Sequence, residues 1–181
     1  MRSTRSTEFI AARVRTLVTA VAVATTGLVA SSCYSFSGGG GLPGHIRTAY
    51  VEPVDNLSTQ FGLSETLADE LLTAARQRLG LQLASQDEAD AIITATIRQY
   101  RDDAVNFDAV EGSGADVFQR RVTITAEVSI LDRQENAILW QSSGLSGAGE
   151  YVPGSETEEQ GTMVAIENLV QKVVDGAQSQ W

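Results

Sequence analysis

The sequence predicts an α/β (α+β) two-layer sandwich of order βαβββα, a four-stranded mixed sheet with two helices on one face. Three observations carry this. Val122, Ile124, Ala126, Val128 and Ile130 alternate with Arg121, Thr123, Thr125, Glu127 and Ser129, the period-two pattern of a strand with one buried and one wet side. Two stretches, starting near Ser64 and near Thr157, repeat apolar residues at steps of three and four, as helices do when they cover one face of a sheet. Strand formers lie on both sides of the first helical stretch, which makes that helix a crossover between parallel strands.

The elements follow in order. Ile46 to Pro53 is rich in strand formers and ends at a proline, which cannot continue inside a ladder. Ser64 is the expected cap of a helix over 64–79, with Leu67, Leu71, Ala74, Ala75 and Leu79 on one face and Gly80 as its stop. After a short Leu81-Gln82-Leu83 stretch, Asp90 to Tyr100 reads as the second strand, with Ile93, Ala95 and Ile97 turned inward. A polar loop holding Gly112-Ser113-Gly114 leads to the third strand, and a turn over 132–136 leads to the hairpin partner Ala137 to Gln141. Gly144 to Gly154 reads as loose chain. Ser155 with Glu158, or Thr157 with Gln160, then offers a capping box for a last helix carrying Met163, Ile166, Val170, Val173 and Ala177 on its buried side.

The first 32 residues hold four arginines and then an uncharged, largely apolar run from Leu17 to Ala30. That layout is a signal peptide, and the run is shorter than the roughly 20 residues a spanning helix needs. It ends in small residues before Cys33, the only cysteine, in a pattern resembling a lipobox with Ala30 where Leu is usual. Cys33 is therefore the expected lipid anchor, carrying covalent diacylglycerol and an N-acyl chain such as palmitate, with no other cofactor. Residues 34–44, with five glycines and a proline, read as a tether. The expected organisation is a signal peptide over 1–32, a lipidated glycine-rich tether over 33–44 and one domain over 45–181.

Cleavage before Cys33 removes four of 13 basic residues and one of 23 acidic ones, leaving a net charge of about −13. So acidic a body is unsuited to nucleic acid and is repelled by anionic headgroups, so membrane attachment falls to the lipid. Catalytic signatures are weak. Asp87-Glu88-Ala89-Asp90 spells a helicase tetrad, yet it precedes a strand, no phosphate-binding loop exists, and Lys172 is the only lysine. Gly144-Leu145-Ser146-Gly147-Ala148 breaks the nucleophile-elbow pattern at its last position. His45, the only histidine, sits at the tether junction and is expected to be solvated, which argues against His-based zinc sites and a serine triad. No catalytic and no metal-binding residue is therefore assigned. Trp140 reads as core and Trp181 as a chain end. Arg98, Arg101, Arg120 and Arg121 form the densest positive group, a candidate contact for lipopolysaccharide or a partner, with cross-strand pairing to acids as the default.

Cys33-Tyr34-Ser35-Phe36 with its glycine-rich tether, Leu42-Pro43-Gly44-His45-Ile46-Arg47-Thr48, Ala89-Asp90-Ala91-Ile92-Ile93 leading to Ile97 and Tyr100, and the hairpin ending Ile138-Leu139-Trp140 together resemble the LptE family of lipopolysaccharide-assembly lipoproteins, in a distant, non-enterobacterial form. The resemblance covers essentially all of 33–178. It implies a non-enzymatic outer-membrane lipoprotein, facing the periplasm or seated in a barrel lumen, that plugs and helps assemble the LptD-type β-barrel translocon. Such a protein supports transport of lipopolysaccharide to the cell surface. Some members touch lipopolysaccharide through basic residues near the loop after the second strand, whereas here Phe107 is followed by Asp108. Tyr34 in place of aspartate points to the outer membrane in the lipoproteins this chain resembles. Val51-Glu52-Pro53-Val54-Asp55-Asn56 before a leucine-rich helix also looks like curli-secretion lipoproteins and periplasmic activators of cell-wall synthases, which keeps that second reading open.

Overall fold

The computed structural model describes residues 41–110 and 114–179, and for 106–110 and 114–118 the backbone alone. The expectations for the signal peptide, Cys33, Tyr34, the Gly112-Ser113 turn, the Phe107 and Asp108 side chains and Trp181 lie outside what is described. Strands β1 (Thr48–Val51), β2 (Asp55–Asn56), β3 (Gln82–Leu83), β4 (Ala91–Val110), β5 (Gly114–Asp132) and β6 (Ala137–Tyr151) form one sheet, with helices α1 (Leu63–Gln77) and α2 (Glu158–Ser179). The order across it is β3-β1-β4-β5-β6, with β2 pairing β4 farther along. β1, β2 and β3 pair in parallel, while β4, β5 and β6 form an antiparallel meander. The two-layer mixed sandwich is as expected, with six strands in place of four. The two extra strands have two residues each, too short for any sequence period to reveal.

One face of the sheet is dry. Ile93, Ala95 and Ile97 of β4 and Val122, Ile124, Ala126, Val128 and Ile130 of β5 pack with Leu67, Leu71, Ala74 and Ala75 of α1 and Ile166, Leu169, Val170 and Val173 of α2 in a single core. The opposite face is polar, with Thr94 and Ser129 sharing a hydrogen bond across β4 and β5. Trp140 is in the core as expected, and its indole lies against Gly176 of α2.

Several local expectations are corrected. The segment 144–151 is strand, because its glycines serve close packing: a Cβ on Gly147 or Gly149 would strike the carbonyls of Ala165 and Gly161 in α2. The helix donates back to the same strand, from Asn168 Nδ2 to the Ala148 carbonyl (2.8 Å) and from Lys172 Nζ to the Ser146 carbonyl (2.7 Å). α1 is capped by Gly62 at φ 79°, not by Ser64, which lies inside the helix. A left-handed residue at that junction is what glycine supplies without strain. Gly80, at φ 69°, does follow the helix end. α2 has the Thr157/Gln160 capping box, with Thr157 N–H donating to Gln160 Oε1 (2.9 Å) and Gln160 N–H to Thr157 Oγ1 (3.3 Å). Met163 is 42% exposed, because Gly161, Ala165 and Leu169 take the side of α2 that meets β6.

β4 and β5 outrun their neighbours. β1 and β2 accompany β4 only as far as Ile97, and the last β5–β6 pair is Arg120 with Tyr151. From Asn106 paired with Gln119 to Val110 paired with Gly114, the two strands continue as a ribbon of their own.

Candidate functional site

At the end of the sheet where the chain enters β1, residues from three segments are tied together. Asp90, last of the acidic tetrad, is the residue that docks β1. Its Oδ2 accepts the backbone N–H groups of Arg47 and Thr48 (3.0 Å each) and the Thr48 hydroxyl (2.8 Å), and its Oδ1 accepts Gln134 Nε2 (2.8 Å). The Arg47 N–H, followed by the Thr48 hydroxyl, brings its carboxyl down to about 2. The tetrad is thus a structural clamp.

Asp132, at the end of β5, is fully buried. Its Oδ1 accepts N–H groups of Gln134 (2.8 Å) and Glu135 (3.1 Å), shaping the turn into β6. Its Oδ2 lies 2.6 Å from His45 Nε2. Burial opposes its charge, but the Glu135 N–H, the imidazole and the Gln134 N–H outweigh it, so the carboxyl sits below the ordinary range. His45 was expected to be a solvated surface residue. Its side chain is 35% exposed and is fastened to the sheet. A period-based reading misses such a pair, whose members are 87 residues apart; the Asp132-Arg133-Gln134 turn was the only local signal.

The four arginines do not converge. Arg98 pairs with Glu127, Arg121 with Glu150 and Arg120 with Asp102, each across adjacent strands. Arg101 is exposed and has no ion pair among the described residues. Beside them, the Tyr151 hydroxyl donates to Asp102 Oδ2 (2.9 Å), which also accepts Arg120 Nε (2.9 Å). The Tyr100 hydroxyl donates to Glu158 Oε1 (2.6 Å). Burial, reinforced by these carboxylates, raises the pKa of both tyrosines, and the Asp102 hydrogen bond raises that of Arg120. These phenols are hydrogen-bond donors rather than bases. Ser146 lies within β6, sharing a hydrogen bond with the Thr125 hydroxyl (3.0 Å), so it does not stand on a strand-to-helix turn.

A groove of about 220 Å³ separates the first turns of α1 and α2, lined by Phe61, Leu63, Thr66, Glu158, Thr162 and Met163 among others. Phe61 stands 95% exposed at its rim, and nearby in the chain Leu57 is also exposed. No sequence period marks Phe61, because it precedes the helix. Among the described residues no helix is long and apolar enough to cross a membrane.

Comparison with known proteins places this arrangement. No curated protein matches the sequence. Among solved structures, the PelC dodecamer from Paraburkholderia phytofirmans is similar at 16% identity, over 79% of this chain and 96% of that one, with a TM-score of 0.46. Lipoprotein GNA1162 from Neisseria meningitidis is similar at 11% identity, over 71% and 99%, with a TM-score of 0.43. Protein XCC0632 from Xanthomonas campestris is similar at 13% identity, over 73% and 81%, with a TM-score of 0.46. The lipopolysaccharide-assembly family LptE matches residues 46–176, from the segment before β1 to Gly176 in the last turns of α2, and the chain belongs to that family.

Proposed function

We propose that this protein is a non-enzymatic outer-membrane lipoprotein, anchored through acylated Cys33, that seats in an LptD-type β-barrel translocon, helps assemble it and supports lipopolysaccharide transport to the cell surface. The family match over 46–176 is the observation that carries this reading. Residues 1–32 act as the signal peptide and 33–44 as the tether, leaving the domain from 45 on as the working part. The two-stranded β4–β5 ribbon, continuing past its neighbouring strands, suits insertion into a barrel lumen. The exposed Phe61 and Leu57 offer apolar contacts for a protein partner. Direct contact with lipopolysaccharide rests on Arg101, since Arg98, Arg120 and Arg121 are already held by acids on neighbouring strands.

Affinity capture of the lipidated chain from detergent-extracted membranes, with the captured proteins identified by mass spectrometry, tests this. A large outer-membrane barrel is the expected partner. Recovery of a cell-wall synthase, or of a homo-oligomer alone, would replace this reading with that of a synthase activator or a curli-type secretion lipoprotein.

A further inference from the structure

His45, Asp132 and Glu135 bring one imidazole nitrogen and two carboxylate oxygens within 4.8 Å of one another. The turn after β5 builds this arrangement. Asp132 Oδ1 is committed to the N–H groups of Gln134 and Glu135, which fixes where the Glu135 side chain begins and leaves Oδ2 facing His45. The Glu135 carboxylate is exposed and makes no hydrogen bond or ion pair among the described residues. With a neutral imidazole the cluster carries two negative charges, one of them on a wholly buried residue. Among the described residues no side chain supplies the missing cation: the Arg133 guanidinium is turned to the carbonyls of Asp87 and Ala89, and Arg47 is exposed and in no ion pair.

We infer that His45, Asp132 and Glu135 form a binding site for a divalent first-row transition metal of the Zn²⁺ class, with water completing the shell. One imidazole and two carboxylates are a donor set such ions accept, whereas Ca²⁺ and Mg²⁺ favour all-oxygen shells of six or more ligands. Bonds of about 2.0–2.2 Å in a tetrahedral shell separate donor atoms by roughly 3.4 Å. The His45–Asp132 contact therefore opens modestly from 2.6 Å while Glu135 swings in from solvent. The proton count is simple. Without metal, neutral His45 donates its Nε2 hydrogen to Asp132 Oδ2; on binding, Nε2 gives up that proton to solvent while Nδ1 takes one from it, so the ring stays neutral and the metal takes the proton's place between the two atoms. The ion then fastens the segment just before β1, where the tether joins the domain, to the β5–β6 turn.

Titration of the chelator-stripped, untagged full chain with Zn²⁺ tests the site, read by calorimetry and by the imidazole proton resonances of the only histidine. One equivalent should bind, shift those resonances and raise Tm, while Mg²⁺ and Ca²⁺ do not. His45→Gln and Glu135→Gln should each weaken binding by at least the roughly ten- to hundredfold that a lost supporting contact costs a metal site. Glu135→Gln removes no hydrogen bond of the metal-free fold, so its circular dichroism and metal-free Tm should stay unchanged. Absence of saturable Zn²⁺ binding, or unchanged binding by Glu135→Gln, overturns the proposal and leaves His45 and Asp132 as a plain hydrogen-bonded latch.

Discussion

Gly147 of β6 lies so close to Ala165 of α2 that a single added carbon would overlap the Ala165 carbonyl and crowd Leu169. The strand and helix backbones pack almost directly, with Gly149 and Gly161 repeating the approach one step along. Replacing Gly147 by Ala should therefore destabilise the fold by at least the ~1–3 kcal/mol typical of overpacking. Urea unfolding midpoints measure it. Gly144→Ala, whose new carbon meets nothing within 4 Å, is the matched control and should change little.

The His45–Asp132 bond predicts a second asymmetry. Asp132 is buried with Oδ2 served by the imidazole alone, so His45→Ala in metal-free protein leaves a carboxylate oxygen unpaired. A loss of about 1–3 kcal/mol is expected. Chemical denaturation of wild type and variant at pH 7 checks it, and an unchanged midpoint would mean that the His45–Asp132 bond does not stabilise the fold.

Asp90 sets an acid dependence. Its carboxyl is at about 2 in the folded chain and near 3.8 when free, first because of the Arg47 N–H and then the Thr48 hydroxyl. A depressed carboxyl stabilises the fold fully above the unfolded value and loses that contribution as pH falls through the folded one. Asp90→Asn should therefore be less stable than wild type at pH 7, by on the order of 1–2 kcal/mol after allowance for solvent screening. The difference should shrink between pH 4 and pH 2, the window set by those two values. Unfolding midpoints across that range read it directly.

Anchoring makes a fourth prediction. Cys33→Ala should yield a folded protein released from the membrane fraction, since an acidic body offers no attraction to anionic headgroups. Fractionation of cells, with circular dichroism on the released protein, checks both halves.

Much of this fold was legible in the sequence because it is periodic. The alternation from Val122 to Ile130 identified β5 and its dry side, and the spacing of Leu67, Leu71 and Ala74 identified α1. What escaped was set by contacts that are distant in sequence or that leave no side-chain mark. Gly147 and Gly149 looked like loose chain because glycine signals both freedom and close approach, and only the neighbouring helix decides between them. Ser64 looked like a cap, but Gly62 reached the left-handed conformation first. The sites were less legible still. Three of the four arginines, Arg98, Arg120 and Arg121, went into pairs once the strand register fixed which acid faced each of them. His45 acquired its partner from the far end of a 20-residue strand's hairpin mate, which no local pattern encodes.

Controlled depletion in cells decides whether this LptE-family chain supports an outer-membrane barrel in delivering lipopolysaccharide, as we propose. Surface lipopolysaccharide and the properly folded, heat-modifiable barrel should fall together as the chain is lost, and both should recover when the lipidated wild type is restored. Undiminished surface lipopolysaccharide with an intact barrel after full depletion would show that the chain serves neither.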